Sequence, residues 1–102
     1  MYIVNTSFFV DPSVYNAWFD ILTTKFLPFL KNQECEIVSF ARILSNEPAE
    51  HYAFSLITKA EDMPGYQRYM DELLPEYDRL AQAMFGERVM ALTTLMKKID
   101  HE

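Results

Sequence analysis

Apolar and polar positions alternate from the second residue of the chain. Between Tyr2 and Val10, the side chains of Val4, Thr6, Phe8 and Val10 fall on one side, and those of Ile3, Asn5, Ser7 and Phe9 on the other. A period of two predicts a strand. At Asp11-Pro12-Ser13 the period changes. Asp11 suits a helix N-cap and Pro12 the first helical position. Val14, Tyr15, Trp18, Phe19, Leu22 and Phe26 then recur at helical spacing. Pro28 lacks the N–H that a helix would direct at Thr24, which predicts an end or a bend near Leu27. Lys31, Asn32 and Gln33 lead into Glu36–Thr58, where EIVSFARIL and HYAFSLIT flank Ser45, Asn46, Glu47 and Pro48. Two β-branched and aromatic runs around turn residues predict a hairpin with a loop longer than two residues.

Glu61-Asp62-Met63-Pro64 starts a second helix, with acids and a proline in its first turn. Tyr66, Tyr69, Met70, Leu73, Tyr77, Leu80, Ala81 and Met84 form its apolar stripe. Pro75 is expected to bend it, and Gly86 to close it in a left-handed conformation. Val89–Met96 is a last strand, 97–102 a loose tail, and no internal repeat is visible. The order β-α-β-β-α-β within 102 residues predicts one α+β domain of ferredoxin-like type, a four-stranded antiparallel sheet with both helices on one face.

That arrangement leaves a face uncovered, yet both strand parities carry large apolar side chains. One set holds Val4, Phe8, Val38, Phe40, Tyr52, Phe54, Leu56, Met90, Leu92 and Met96. The other holds Ile3, Phe9, Ile37, Ile43, Ile57, Val89 and Leu95. A bare face on the order of 400 Å² in plan is high for a lone soluble domain. A homodimer packing sheet on sheet is the expected remedy, and a different protein on that face is the alternative.

Composition narrows the function. The net charge is −6 and the largest basic cluster is Lys97-Lys98, which disfavours nucleic acid and anionic membranes. Two glycines rule out a glycine-rich phosphate loop. The start, MYIVNTSFFVD, lacks the basic region and cleavage site of a secretory leader, and no run reaches spanning length. One cysteine cannot form an internal disulfide, so a cytoplasmic protein is expected.

The opening strand MYIVNTSFFVD, Trp18, the Leu27-Pro28 step, Tyr52, and Phe85-Gly86 followed by a strand with Thr93 together resemble the dimeric α+β-barrel superfamily. Within it they look closest to a short family of unassigned function (domain of unknown function 4286). The resemblance implies fold and dimer more than activity, because its members include cofactor-independent oxygenases, isomerases, haem-dependent enzymes and ligand-sensing domains. Many of them carry a histidine two residues before the proline of the first helix, and here Phe26 stands there.

Candidate chemistry is sparse. His51 could serve as a general base if Glu50 or Glu47 oriented it, but the start of a strand is more often merely half exposed. His101 lies in the tail. His51, His101 and Cys35 have no metal-ligand spacing, and neither metal nor cofactor is expected. Cys35 lies between Glu34 and Glu36, whose charge raises a thiol's pKa and favours a structural role. Arg42, between Phe40 and Leu44 on one parity, either pairs with a carboxylate, most simply across an interface, or lines an acid-binding pocket. Tyr15, Trp18, Arg42, Tyr52 and Tyr69 are the candidate ligand-binding set, although a plain core uses aromatic residues at the same spacing. The leading expectation is a non-enzymatic homodimer, with room for a small apolar or aromatic acid between helices and sheet. The alternatives are a cofactor-independent oxygenase or isomerase-type enzyme acting on such a compound through His51, Arg42 and a tyrosine, and a protein-interaction adaptor.

Overall fold

Four strands form one antiparallel sheet in the order β2-β3-β1-β4. The computed structural model describes residues 1–44 and 50–100. The strands are β1 (Tyr2–Val10), β2 (Glu36–Ile43), β3 (Tyr52–Ala60) and β4 (Val89–Lys97). The turn residues Ser45 to Pro48, and with them Glu47, lie outside the described residues, as does His101. Helix α1 spans residues 15–32 and helix α2 spans 63–85. The ferredoxin-like α+β architecture is therefore the one observed. None of the described helices is long and apolar enough to cross a membrane.

The alternation in β1 decides where the core lies. Val4, Thr6, Phe8 and Val10 are buried beneath the helices, whereas Ile3, Asn5 and Ser7 are half-buried and Phe9 is exposed. Leu56 and Phe54 continue the buried layer on β3, and Trp18, Leu22, Phe26 and Leu30 close it from α1. Tyr69, Leu73, Tyr77, Ala81 and Phe85 close it from α2. Cross-strand partners share a face, so the register assigns the remaining strands. Val10 opposes Val89, and Val4 opposes Leu95. Val89 and Leu95 consequently join the helix side, and Met90, Leu92 and Met96 turn outward, against the grouping expected from parity. A bulge between Ile37 and Ser39 shifts β2 by one residue and brings Ile37 and Phe40 opposite Thr58 and Leu56. Parity has meaning only within one unbroken strand, and pairing between strands sets the rest.

Helix α2 begins as its sequence predicts, whereas Asp11 caps a 3-10 turn at Pro12–Val14 that leads into α1 at Tyr15. The Asp11 carboxylate accepts the Ser13 N–H at 2.8 Å, and that of Asp62 accepts the Gly65 N–H at 2.9 Å. Of the two outcomes expected at Pro28, the end of the helix is excluded, because α1 runs through Pro28 to Asn32. A π-helical turn at Leu22–Phe26 precedes the proline, and the Leu27 N–H reaches back five residues to the Leu22 carbonyl. The wider register makes room for a ring that would strike the carbonyl four residues back. Thr23 and Thr24 donate their hydroxyls to the carbonyls of Phe19 and Asp20, at 2.8 and 2.6 Å. The device recurs in α2, where a π turn at Tyr69–Leu73 precedes Leu74-Pro75. Each helix thus carries a π turn followed by Leu-Pro, a repetition too short and too degenerate to stand out in the sequence.

The ends of the helices differ. Gly86 terminates α2 at φ 54°, ψ −128°, a positive-φ conformation as expected, although outside the left-handed helical region proper. In α1 a Schellman motif pairs the Cys35 N–H with the Leu30 carbonyl and the Glu34 N–H with the Lys31 carbonyl, both at 3.0 Å. Glu34, not glycine, takes its left-handed position at φ 61°. At the other terminus, β4 continues to Lys97 and the Lys98 N–H bonds the Met1 carbonyl at 3.2 Å, so the tail is held further along than expected.

These two positive-φ sites predict opposite mutational signs. Glu34→Gly removes a left-handed penalty of about 1–2 kcal/mol but loosens the unfolded chain, for a net gain of about 0.5–1 kcal/mol. Gly86→Ala meets no neighbouring atom, yet costs about 1–3 kcal/mol in backbone strain alone. Urea denaturation of the two variants beside the parent measures both.

Candidate functional site

The space between α1 and the sheet is filled. Phe8 packs on Trp18 and Tyr77 with ring centroids 5.5 and 4.9 Å apart, and Trp18 on Phe54 at 4.8 Å. The Trp18 Nε1–H donates to the Tyr77 hydroxyl at 3.0 Å, and Thr6 Oγ1 and the Tyr69 hydroxyl share a hydrogen bond at 2.7 Å. Trp18 and Tyr69 therefore spend their polar atoms on the core itself, and among the described residues no buried side-chain nitrogen or oxygen is left without a partner. Burial pushes the hydroxyls of both Tyr69 and Tyr77 up to about 12. The bonds from Thr6 and Trp18 oppose that rise without cancelling it.

Three of the candidate residues meet at one end of the sheet. Tyr15, at the start of α1, lies edge-on to Tyr52 at 5.2 Å and stacks on Phe54 at 5.7 Å. The Arg42 guanidinium sits over the Tyr52 ring, 4.2 Å from its centroid. A cation so placed gains from the ring's quadrupole. Arg42 is exposed in the single chain and does not sit at the buried mid-strand position that its sequence neighbours imply. It keeps the face of Phe40, opposite Phe54, but lies one residue from the end of β2, an edge strand, which brings it to the rim. His51 stands beside this rim, exposed, one residue before Tyr52. Glu50 is exposed as well.

The opposite end of the sheet holds a cleft of about 270 Å³. Val4, Thr58, Ala60, Tyr69 and Leu73 form its floor and walls, and Cys35, Lys59, Arg68 and four acids, Glu34, Glu36, Glu61 and Asp62, its mouth. Tyr69 is the one member of the candidate set that reaches it. Arg68 spans the helix ends, donating to the Gln33 carbonyl and Oε1 at 2.9 and 3.0 Å and facing Glu72 at 3.3 Å. Burial raises the Cys35 thiol above its ordinary value and Arg68 opposes it. The cause is desolvation and not the flanking glutamates to which the sequence points. The cleft itself was not legible in the chain order, because its residues come from four separate elements.

Three comparisons complete the description. Residues 1–99 match the family model described as "Domain of unknown function (DUF4286)". No curated protein matches the chain. Among solved structures the fold resembles a "De novo designed protein Foldit4" at a TM-score of 0.59 and 10% identity, over 96% of this chain and 98% of that one. At that identity the likeness concerns fold alone.

Two phenols held near 12 in the native state and near 10 when unfolded retain their protons more tightly when folded. Their contribution to stability is complete below pH 10 and is lost as pH rises towards 12, at roughly 2–3 kcal/mol for each. Absorbance at 295 nm should show two tyrosines that ionise only together with the loss of tertiary structure, and in Tyr69→Phe only one.

Proposed function

This chain belongs to the DUF4286 family, a domain of unknown function, and we propose that it acts as a non-enzymatic cytoplasmic homodimer that pairs through its open sheet face. One observation carries the reading. Met90, Leu92, Val38, Ile43, Met96 and Phe9 are 66, 63, 50, 47, 40 and 36% exposed on strands whose other face the helices already cover. Four nine-residue or nearly nine-residue strands give that face roughly 570 Å² in plan, so two copies bring together about 1,100 Å², above the approximate 1,000 Å² of a specific interface.

Charge favours a second copy as the occupant. The chain carries a net charge of −6, but on the open face Lys59 and Glu36 neutralise each other at 3.1 Å. Two acidic molecules can meet there without bringing their helix-borne carboxylates together. Light scattering behind size exclusion should return twice the 12.0 kDa chain mass at tens of micromolar. Leu92→Asp should return one chain mass with an unchanged far-ultraviolet spectrum. A parent chain that stays single at that concentration would leave the face to a different protein.

A ligand role has its own support at the Arg42 rim. A guanidinium seated on Tyr52 beside Tyr15 offers a charge and an aromatic wall together, which suits a small aromatic acid. With phenylacetate as the probe, amide shifts should centre on Tyr15, Arg42 and Tyr52, and Arg42→Gln should weaken the affinity about tenfold or more. Shifts unaffected by that substitution would remove the rim from consideration.

A further inference from the structure

We propose that the cleft between the first turns of α2, the start of β2 and the end of β3 binds a small amphipathic amine, an apolar or aromatic body carrying one ammonium group. The inference rests on neither the dimer nor the Arg42 rim, which lies at the other end of the sheet, although the Lys59–Glu36 pair borders both the cleft and the open face. Its volume of about 270 Å³ suits a molecule of about ten to fifteen heavy atoms. The floor is apolar where Val4, Ala60 and Leu73 meet, and the Tyr69 ring stands against it. The hydroxyl of that ring is already bound to Thr6, so the surface it lends to the cleft is its hydrocarbon.

The mouth selects the charge. Six charged residues border it, Lys59 and Arg68 against Glu34, Glu36, Glu61 and Asp62. Lys59 is engaged by Glu36, and Arg68 by Gln33 and Glu72. Asp62 directs one carboxylate oxygen at the Gly65 N–H. Both cations are thus engaged by the protein's own acceptors, and the four carboxylates on the border outnumber the two cations. An anion entering would have to displace existing ion pairs, whereas an ammonium group meets carboxylates and gives up none of them. A bare metal ion is the poorer occupant, because among the described residues no three His, Cys, Asp or Glu side chains converge as ligands. Cys35, the single thiol of the chain, lies on the border and provides a covalent handle on the site.

The experiment is a ¹H–¹⁵N titration of the full chain with phenethylamine, with phenylacetate as the anionic counterpart of similar shape. Phenethylamine should give saturable shifts centred on Cys35, Gly65, Arg68 and Tyr69, weakening as salt is added. The double substitution Glu34→Gln with Glu61→Gln should raise the dissociation constant about tenfold. Capping Cys35 with N-ethylmaleimide should abolish the shifts by filling the cleft. Three results would overturn the proposal: no saturable shifts at these residues, equal shifts there from phenylacetate, or binding that survives the capped thiol. Phenylacetate shifts confined to Tyr15, Arg42 and Tyr52 belong to the rim and leave this outcome unaffected.

Discussion

A sheet has two faces and this chain has helices for only one. Everything in the molecule adjusts to that inequality. β1 and β3 lie inside the sheet, and the even-numbered side chains from Val4 to Val10 and from Phe54 to Ala60 are sealed under the helices, so the strongest burial falls on the two strands with two neighbours. The edge strands, β2 and β4, hold the more exposed residues on either face. The open face is not uniformly apolar. Asn5 Nδ2 donates to Ser7 Oγ at 3.0 Å, and the Ser55 hydroxyl donates to Asn5 Oδ1, so the middle of that face is polar and internally bonded. The exposed methionines and leucine surround one side of it. A surface with a small satisfied polar centre and apolar flanks tolerates water on the single chain and still favours burial against a complementary surface.

Covering one face well required helices that follow the sheet past two awkward prolines. The solution is the same in both, a single π turn that widens the register just before Leu-Pro. In α1 the threonine hydroxyls satisfy carbonyls of the altered ladder, which ties the local sequence Thr23-Thr24 to the proline that follows. Residues of these wide turns, Leu22, Phe26, Tyr69 and Leu73, are among the most deeply buried in the protein. A turn that costs regular hydrogen bonding is offset where its side chains fill the core.

The same packing separates aromatic residues that build from those free to bind. Trp18, Tyr69 and Tyr77 have their polar atoms paired within the interior, and their rings touch Phe8, Phe54 and Phe26 or stand beside Thr6. Groups with unspent surface are pushed to the two ends of the sheet, Arg42 with Tyr15 and Tyr52 at one and the Cys35 cleft at the other. The two ends have opposite electrostatic character, one presenting a cation over an aromatic wall and the other carboxylates over an apolar floor.

Local patterns determined much by themselves. The alternation in β1, the caps at Asp11 and Asp62, the positive φ of Gly86 and the β-α-β-β-α-β order all arise from interactions within a few residues, which is why they are readable along the chain. Pro28 shows the limit, because its local rule ends a helix and tertiary burial of Phe26 and Leu30 keeps one going. The facing of Met90, Leu92 and Met96 and the exposure of Arg42 at the end of an edge strand depend on strand register and order, relations between segments far apart in sequence. The cleft depends on them too, since Cys35, Thr58 and Tyr69 become neighbours only when β2, β3 and α2 pack. Short-range chemistry wrote the elements; which faces and which side chains meet was decided by the cooperative fit of the whole.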